Sequence, residues 1–244
     1  MDTAPASPGR RPRLDPELAA INVMIPHFDL SDLPTARALE SKLAHQARVR
    51  TLGVATRDFS VPGKEGHSIE IRVYRPEGAT VQLPAVFFIH GGGFMLGGIH
   101  TEDERCEIYS ALAECIVINI DYRLAPEHPF PAAFNDCVDV LDWIADKAAD
   151  LGIDARRIAV GGNSAGGALA AALALRSRTE GPPLSHQFLV NPVLDHRNQT
   201  RSARAFTDTP VWSRSDNLHM WSSYLGATTS TIDYRLSSIA RPGR

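Results

Sequence analysis

The sequence predicts an α/β protein in which a mostly parallel sheet is covered by helices on both faces. Short, largely apolar runs at residues 85–89, 116–120, 158–160 and 187–190 have the character of strands buried on both sides. Stretches with helical spacing separate them, and that alternation is the pattern of parallel strands joined by helical crossovers. The chain has 244 residues, 43% hydrophobic and 22% charged, which suits one ordinary globular domain.

Taken in order, residues 1–13 hold three prolines and three arginines and read as a disordered lead to a domain spanning 14–244. No apolar stretch follows Arg10 and Arg11, so neither a Sec nor a twin-arginine signal is expected. From 15 to about 50, Leu18, Ile21, Ile25, Leu39 and Leu43 recur at helical spacing broken by Pro26 and Pro34, predicting two or three short peripheral helices. Residues 54–61 and 68–74 then form an antiparallel pair around the turn Pro62-Gly63-Lys64-Glu65-Gly66. In the second strand Ile69, Ile71 and Val73 alternate with Glu70 and Arg72, so one face is exposed. A helix is expected from about 101 to 113. Another, about 15 residues long, follows from the spacing of Phe134, Cys137, Val138, Leu141, Ile144, Ala145 and Ala148, and a third spans 165–176.

A formal net charge of −3 argues against binding nucleic acid or an anionic membrane surface. The longest clean apolar run, 168–175, is far short of the ~20 residues that cross a bilayer, so no stable membrane anchor is expected. Cys106, Cys115 and Cys137 lie well apart, with no CxxC pair and no histidine at metal spacing. They read as free thiols in a reducing cytoplasm, with neither metal nor cofactor.

The chemistry is concentrated in two motifs. Gly162-Asn163-Ser164-Ala165-Gly166 lies between the strand at 158–160 and the Ala-rich helix, which is the setting a nucleophile elbow needs. Glycines two positions before and after Ser164 permit the sharp turn that holds the hydroxyl out at the helix N-terminus. A dinucleotide site would need GxGxxG and a P-loop would need GK[ST]; neither is spelled here. The second motif, His90-Gly91-Gly92-Gly93-Phe94, directly follows a buried strand. Its backbone N–H groups can converge on one point, so Gly92 and Gly93, with Ala165 as the third, are the candidate oxyanion donors. His90 precedes those donors and reads as ordering the loop rather than as the catalytic base.

These two runs, with Asp121-Tyr122-Arg123-Leu124-Ala125-Pro126-Glu127-His128-Pro129 between them, resemble the hormone-sensitive-lipase group of α/β-hydrolase esterases, from about residue 14 onward. The resemblance implies an α/β-hydrolase fold with a small helical cap contributed by about 14–50 and 206–226. It also implies ester hydrolysis through an acyl-serine on Ser164, with short or medium acyl esters as the small-molecule substrates. Arg123 and Glu127 would hold the loop beneath the site, His128 would be a loop residue, and Phe28 and Trp212 would line the pocket from the cap. The family usually has Asp where this chain has Asn163, which removes a charge beside the nucleophile.

In the family an acid and a His follow the serine from later loops. Residues 165–244 contain neither the Asp-Pro-Leu motif nor its His, and residues 234–244 resemble the stretch just before that motif. The expectation is a chain truncated before its acid and base, with its last strands missing and hydrolysis impaired. Internal substitutes would have to be Asp195 with His186, His196 or His219. An incomplete sheet would also expose the strand at 187–190 as an edge open to self-association. Two alternatives accompany the enzyme reading: a ligand-binding member without turnover, as in the plant gibberellin receptors of the same family, and a non-functional gene fragment.

Overall fold

The computed structural model describes residues 15–26, 28–46 and 53–226; the expected lead at 1–13 and the stretch 234–244 lie outside them. Two helices come first, α1 (Pro16–Asn22) and α2 (Leu33–Gln46). α1 buries nothing and α2 buries only Ala36, in keeping with their peripheral assignment. β1 (Val54–Pro62) and β2 (Ser68–Pro76) pair antiparallel, and β2 runs antiparallel to β4 (Ile116–Asp121). β4, β3 (Leu83–Ile89), β5 (Ile153–Asn163) and β6 (His186–Val190) are mutually parallel, in the order β1-β2-β4-β3-β5-β6.

Burial follows the sequence periods. In β2, Ile69, Ile71 and Val73 are buried while Glu70 is exposed, and in β4 every residue but the last is buried. The faces of the sheet are told apart by neighbouring residues of one strand. Phe87 belongs to the large core with α4 (Ala132–Asp146) and α6 (Ala165–Arg176), whereas Phe88 packs with Tyr74, Val117 and Cys106 of α3 (Asp103–Ala113). Helices therefore cover both faces. α6 is buried from Ala165 to Leu173, and its alanines allow a close approach to the sheet.

Two boundaries differ from the sequence reading. The helix expected to reach Ala148 ends at Asp146, and Ala148 begins a separate one-turn helix α5 (Ala148–Leu151) after the non-helical Lys147. β5 is 11 residues long rather than three, because Asp154, Arg156 and Arg157 extend it with polar residues that an apolar criterion overlooks. α4 also buries Asp136 and Asp139 on its polar side, where the β1–β2 turn covers it: Lys64 donates its N–H to Asp139 (2.8 Å) and His67 contacts Asp136 (2.8 Å). After β6 come α7 (Arg201–Ala205) and α8 (Arg214–Leu225), whose Met220, Trp221, Tyr224 and Leu225 join the large core. No helix among the described residues is long and apolar enough to cross a membrane.

Candidate active site

Ser164 stands between the end of β5 and the start of α6 with φ 52° and ψ −113°. This conformation is costly for a residue with a Cβ, and such strain clusters at functional sites. Hydrogen bonds on both sides hold it: Ser164 N–H donates to Val190 O (2.9 Å) and Ser164 O accepts from Val193 N–H (3.1 Å). The flanking glycines are required by space. A Cβ on Gly162 would overlap the Gly166 carbonyl, and one on Gly166 would overlap the carbonyls of Ile89 and His90.

The same closeness joins the second motif to the first. A Cβ on Gly91 would lie 3.5 Å from Ser164 Cβ. Gly92 (φ 98°) and Gly93 (φ 60°) take left-handed conformations, and Met95 and Leu96 N–H fold back onto Gly92 O (3.0 and 2.8 Å). Among the described residues the N–H groups of Gly92, Gly93 and Ala165 donate to no protein acceptor. The Ala165 N–H is also the first of α6, at its positive dipole end. Ser164 is itself partly exposed, and its side chain and these donors lie on adjoining segments.

Clamps reach the glycine loop from distant parts of the chain. Arg37 of α2 donates to Met95 O (2.8 Å), Ala125 O (2.9 Å) and both carboxylate oxygens of Glu127 (2.8 and 2.9 Å). Glu40 accepts the Gly97 N–H (2.6 Å), and its pKa is raised by burial, with the negative charge of Glu102 adding to the effect. Phe94 stacks on Tyr224 of α8 at 3.8 Å and accepts the Ala125 N–H (2.8 Å) through its carbonyl. Arg123 grips Asp136 (2.7 Å) and Glu65 (2.9 Å), tying the segment after β4 to α4 and the β1–β2 turn.

His90 is fully buried, stacked on Tyr122 at 4.1 Å, with Nδ1–H directed at Gly91 O (2.8 Å). Burial disfavours the imidazolium and lowers its pKa to about 4. Its hydrogen bond is with the loop backbone. His128 is exposed.

The proposed substitutes are not brought together. His186 pairs with Ala159 at the amino end of β6, whereas Val190, beside Asn163, lies at the Ser164 end; four strand steps, ~13 Å, separate them. Asp195 accepts from Arg197 (2.7 and 2.8 Å), and that guanidinium holds its carboxyl below the usual range. His219 is exposed on α8, and the His196 ring stands 6.1 Å from that of Trp221. Among the described residues no histidine is hydrogen-bonded to Ser164. Trp212 does reach the site, since a Cβ on Gly93 would meet its Cη2 at 2.6 Å. Phe28 is half-buried against the large core.

Sequence reasoning missed Glu102. Buried at 6% exposure, it accepts from Asn163 Nδ2 (3.4 Å) and Arg105 Nε (2.7 Å), while Asn191 Nδ2 donates to Asn163 Oδ1 (3.3 Å). Asn163 thus ties the elbow to the helix start after the glycine loop and to the turn after β6. A cavity of about 440 Å³ lies beside α2, lined by Arg37, Glu40, Glu70 and Asp121; Ser164 does not line it.

Comparison with known families places this geometry. The profile of a family described as having the alpha/beta hydrolase fold matches residues 86–242, which include both glycine motifs and α8. The chain belongs to the α/β-hydrolase family. Among its relatives, carboxylesterase NlhH of Mycobacterium tuberculosis (strain CDC 1551 / Oshkosh) is 42% identical over 147 residues, 60% of this chain and 46% of that protein. Esterase LipI of Mycobacterium tuberculosis (strain ATCC 25618 / H37Rv) is 38% identical over 207 residues, 82% of this chain and 63% of that protein. The chain therefore spans between about half and two thirds of the length of these relatives. Among solved structures, a bacterial heroin esterase superposes with a TM-score of 0.88 at 40% identity, covering 92% of this chain and 74% of the other. Esterase LipW from Mycobacterium marinum gives 0.86 at 37%, covering 94% and 73%. These relatives and solved structures of similar fold are named as carboxylesterases or esterases.

Proposed function

We propose that this α/β-hydrolase, of the hormone-sensitive-lipase group by its two glycine motifs, acts on short or medium acyl esters through Ser164. The observation that carries the reading is the strained Ser164 held against a glycine loop with unspent N–H donors. Ser164 Oγ attacks the ester carbonyl carbon while Gly92, Gly93 and Ala165 N–H groups receive the oxyanion. Collapse expels the alcohol and leaves an acyl-serine; water then releases the acid and regenerates the hydroxyl. Both steps need a proton acceptor, and His90 is directed at the loop backbone, where it orders the donors. With no histidine hydrogen-bonded to Ser164 among the described residues, hydrolysis is expected to be feeble, since removing the catalytic His costs ~10⁶ in kcat in a serine protease.

The absence, among the described residues, of a base hydrogen-bonded to Ser164 favours a second reading, a ligand-binding protein that does not turn over; the bare-fragment alternative predicts neither binding nor turnover. An alkyl boronic acid, which forms a tetrahedral adduct on a serine hydroxyl, tests them. Binding that disappears in Ser164→Ala, with little hydrolysis of chromogenic esters, is the expected result. Brisk turnover abolished by Ser164→Ala would identify an internal base, and boronate binding indifferent to that substitution would remove Ser164 from the site.

Other parts of the reading rest on lesser support. The cap is assigned to about 14–50 and 206–226, with Trp212 above Gly93 as its contact with the site. Three buried free thiols, Cys106, Cys115 and Cys137, suit a reducing cytoplasm. The net charge of −3 speaks against nucleic acid as a partner. β6, paired only with β5 among the described strands, is the edge through which self-association would occur.

A further inference from the structure

In a planar trans peptide the N–H of one residue points away from the C=O of the residue before it, so whatever holds that oxygen aims that hydrogen. The Gly92 and Gly93 donors are aimed by two different devices. Behind the Gly92 N–H stands Gly91 O, which accepts from His90 Nδ1–H (2.8 Å) and from the Tyr122 hydroxyl (3.3 Å), both on buried side chains. Behind the Gly93 N–H stands Gly92 O, which accepts from Met95 and Leu96 N–H (3.0 and 2.8 Å). Those two bonds lie within the turn itself, and a turn that holds its own carbonyl can still swing as a unit.

Helix α2 opposes that swing. Its Arg37 and Glu40, three residues apart and so on one helix face, grip the turn on either side of Leu96. Arg37 Nε–H donates to Met95 O (2.8 Å), and the Glu40 carboxylate accepts the Gly97 N–H (2.6 Å). Arg37 is itself seated by Ala125 O (2.9 Å) and by both carboxylate oxygens of Glu127, and the Ala125 N–H closes the ring onto Phe94 O (2.8 Å). The helix buries only Ala36, so its seat on the glycine loop is mainly polar.

We infer that Arg37 and Glu40 are positioning residues for the Gly93 N–H: by fixing Met95 O and Gly97 N–H they fix the turn that carries Gly92 O, and with it the direction of the donor. Their bearing on hydrolysis rests on the function proposed for Ser164, whereas the orientation of the Gly93 amide does not. Glycine-selective ¹⁵N NMR of the whole chain tests the orientation directly. The Gly93 amide signal should move in Arg37→Met and in Glu40→Leu, while the Gly92 amide, whose plane is held from Gly91 O, should stay in place. Glu40→Gln, whose amide oxygen can still accept the Gly97 N–H, should restore most of what Glu40→Leu displaces. Arg37→Lys should not rescue, because an ammonium cannot span two carbonyls and a carboxylate as the guanidinium fork does.

Butylboronic acid binding by the same preparations reads the consequence for the site. Affinity should fall by at least about tenfold wherever the Gly93 signal is displaced, since misaligning one oxyanion donor carries a penalty of that order. A Gly93 signal that stays fixed in both Arg37→Met and Glu40→Leu, or Gly92 and Gly93 signals displaced alike, would overturn the inference, as would undiminished boronate affinity in these variants when wild type binds through Ser164. Boronate binding absent from wild type, or surviving Ser164→Ala, would count against Ser164 instead, and the amide signals would still judge the clamp.

Discussion

Replacing Asn163 with Asp would set two carboxylates against each other beside Ser164. Asn163 Nδ2 lies 3.4 Å from Glu102 Oε1, and Glu102 is almost wholly buried. With charge centres ~4 Å apart and an effective dielectric constant of ~20, suited to a half-buried pair, repulsion amounts to ~4 kcal/mol, or about three pKa units. The introduced carboxyl, ordinarily near ~3.9, would then hold its proton to about pH 7 in the folded protein. A folded-state pKa raised in this way leaves stability intact below the unfolded value and removes it as pH rises toward the folded one. The loss relative to wild type should be about 1.5 kcal/mol at pH 5 and about 4 kcal/mol at pH 8. Urea unfolding of wild type, Asn163→Asp and the double variant Asn163→Asp, Glu102→Gln across that range measures it. The double variant restores one amide and one carboxylate with exchanged places, and it should recover most of the loss. A single variant whose deficit does not change with pH, or a double variant no more stable than the single, would refute the reasoning.

Other expectations follow from single observations. The pKa of His90, lowered by burial to about 4, means that its contribution to stability is complete above its unfolded value of ~6.5 and falls away toward pH 4, by about 3 kcal/mol in total; His90→Asn should flatten that part of the stability–pH curve, and an unchanged slope would count against it. Ser164 has the dihedrals of the first central residue of a type II′ turn, which glycine takes freely, so Ser164→Gly should raise stability by ~1 kcal/mol and Tm by about 2–4 °C while abolishing boronate binding; a lower Tm in calorimetry would show that the elbow is not strained. The β6 edge should make sedimentation depend on concentration, and Gln187→Lys, which adds charge to an exposed edge position, should diminish that dependence; a monomer at every concentration would show that the edge is covered.

The sequence by itself determined the parts governed by near neighbours. The period of two in β2, the apolar runs of β3 and β4 and the Ala-rich α6 were legible because burial imposes a spacing on adjacent residues. Both glycine motifs were legible for a related reason: backbone crowding at Gly162 and Gly166 leaves no room for any other residue type, so the requirement is written in the chain. Only the tertiary structure decided which distant groups meet. Arg37 reaching Glu127 and Met95, Glu102 reaching Asn163, and Trp212 covering Gly93 each join residues tens of positions apart, and no periodicity marks them. The same holds for the candidate bases. His186 is close to Ser164 in sequence, but the parallel register of β6 against β5 puts it at the opposite end of the sheet. A local pattern encodes the conformation of a segment, whereas a site is assembled by contacts whose partners become neighbours only once the sheet has set its strand order and direction.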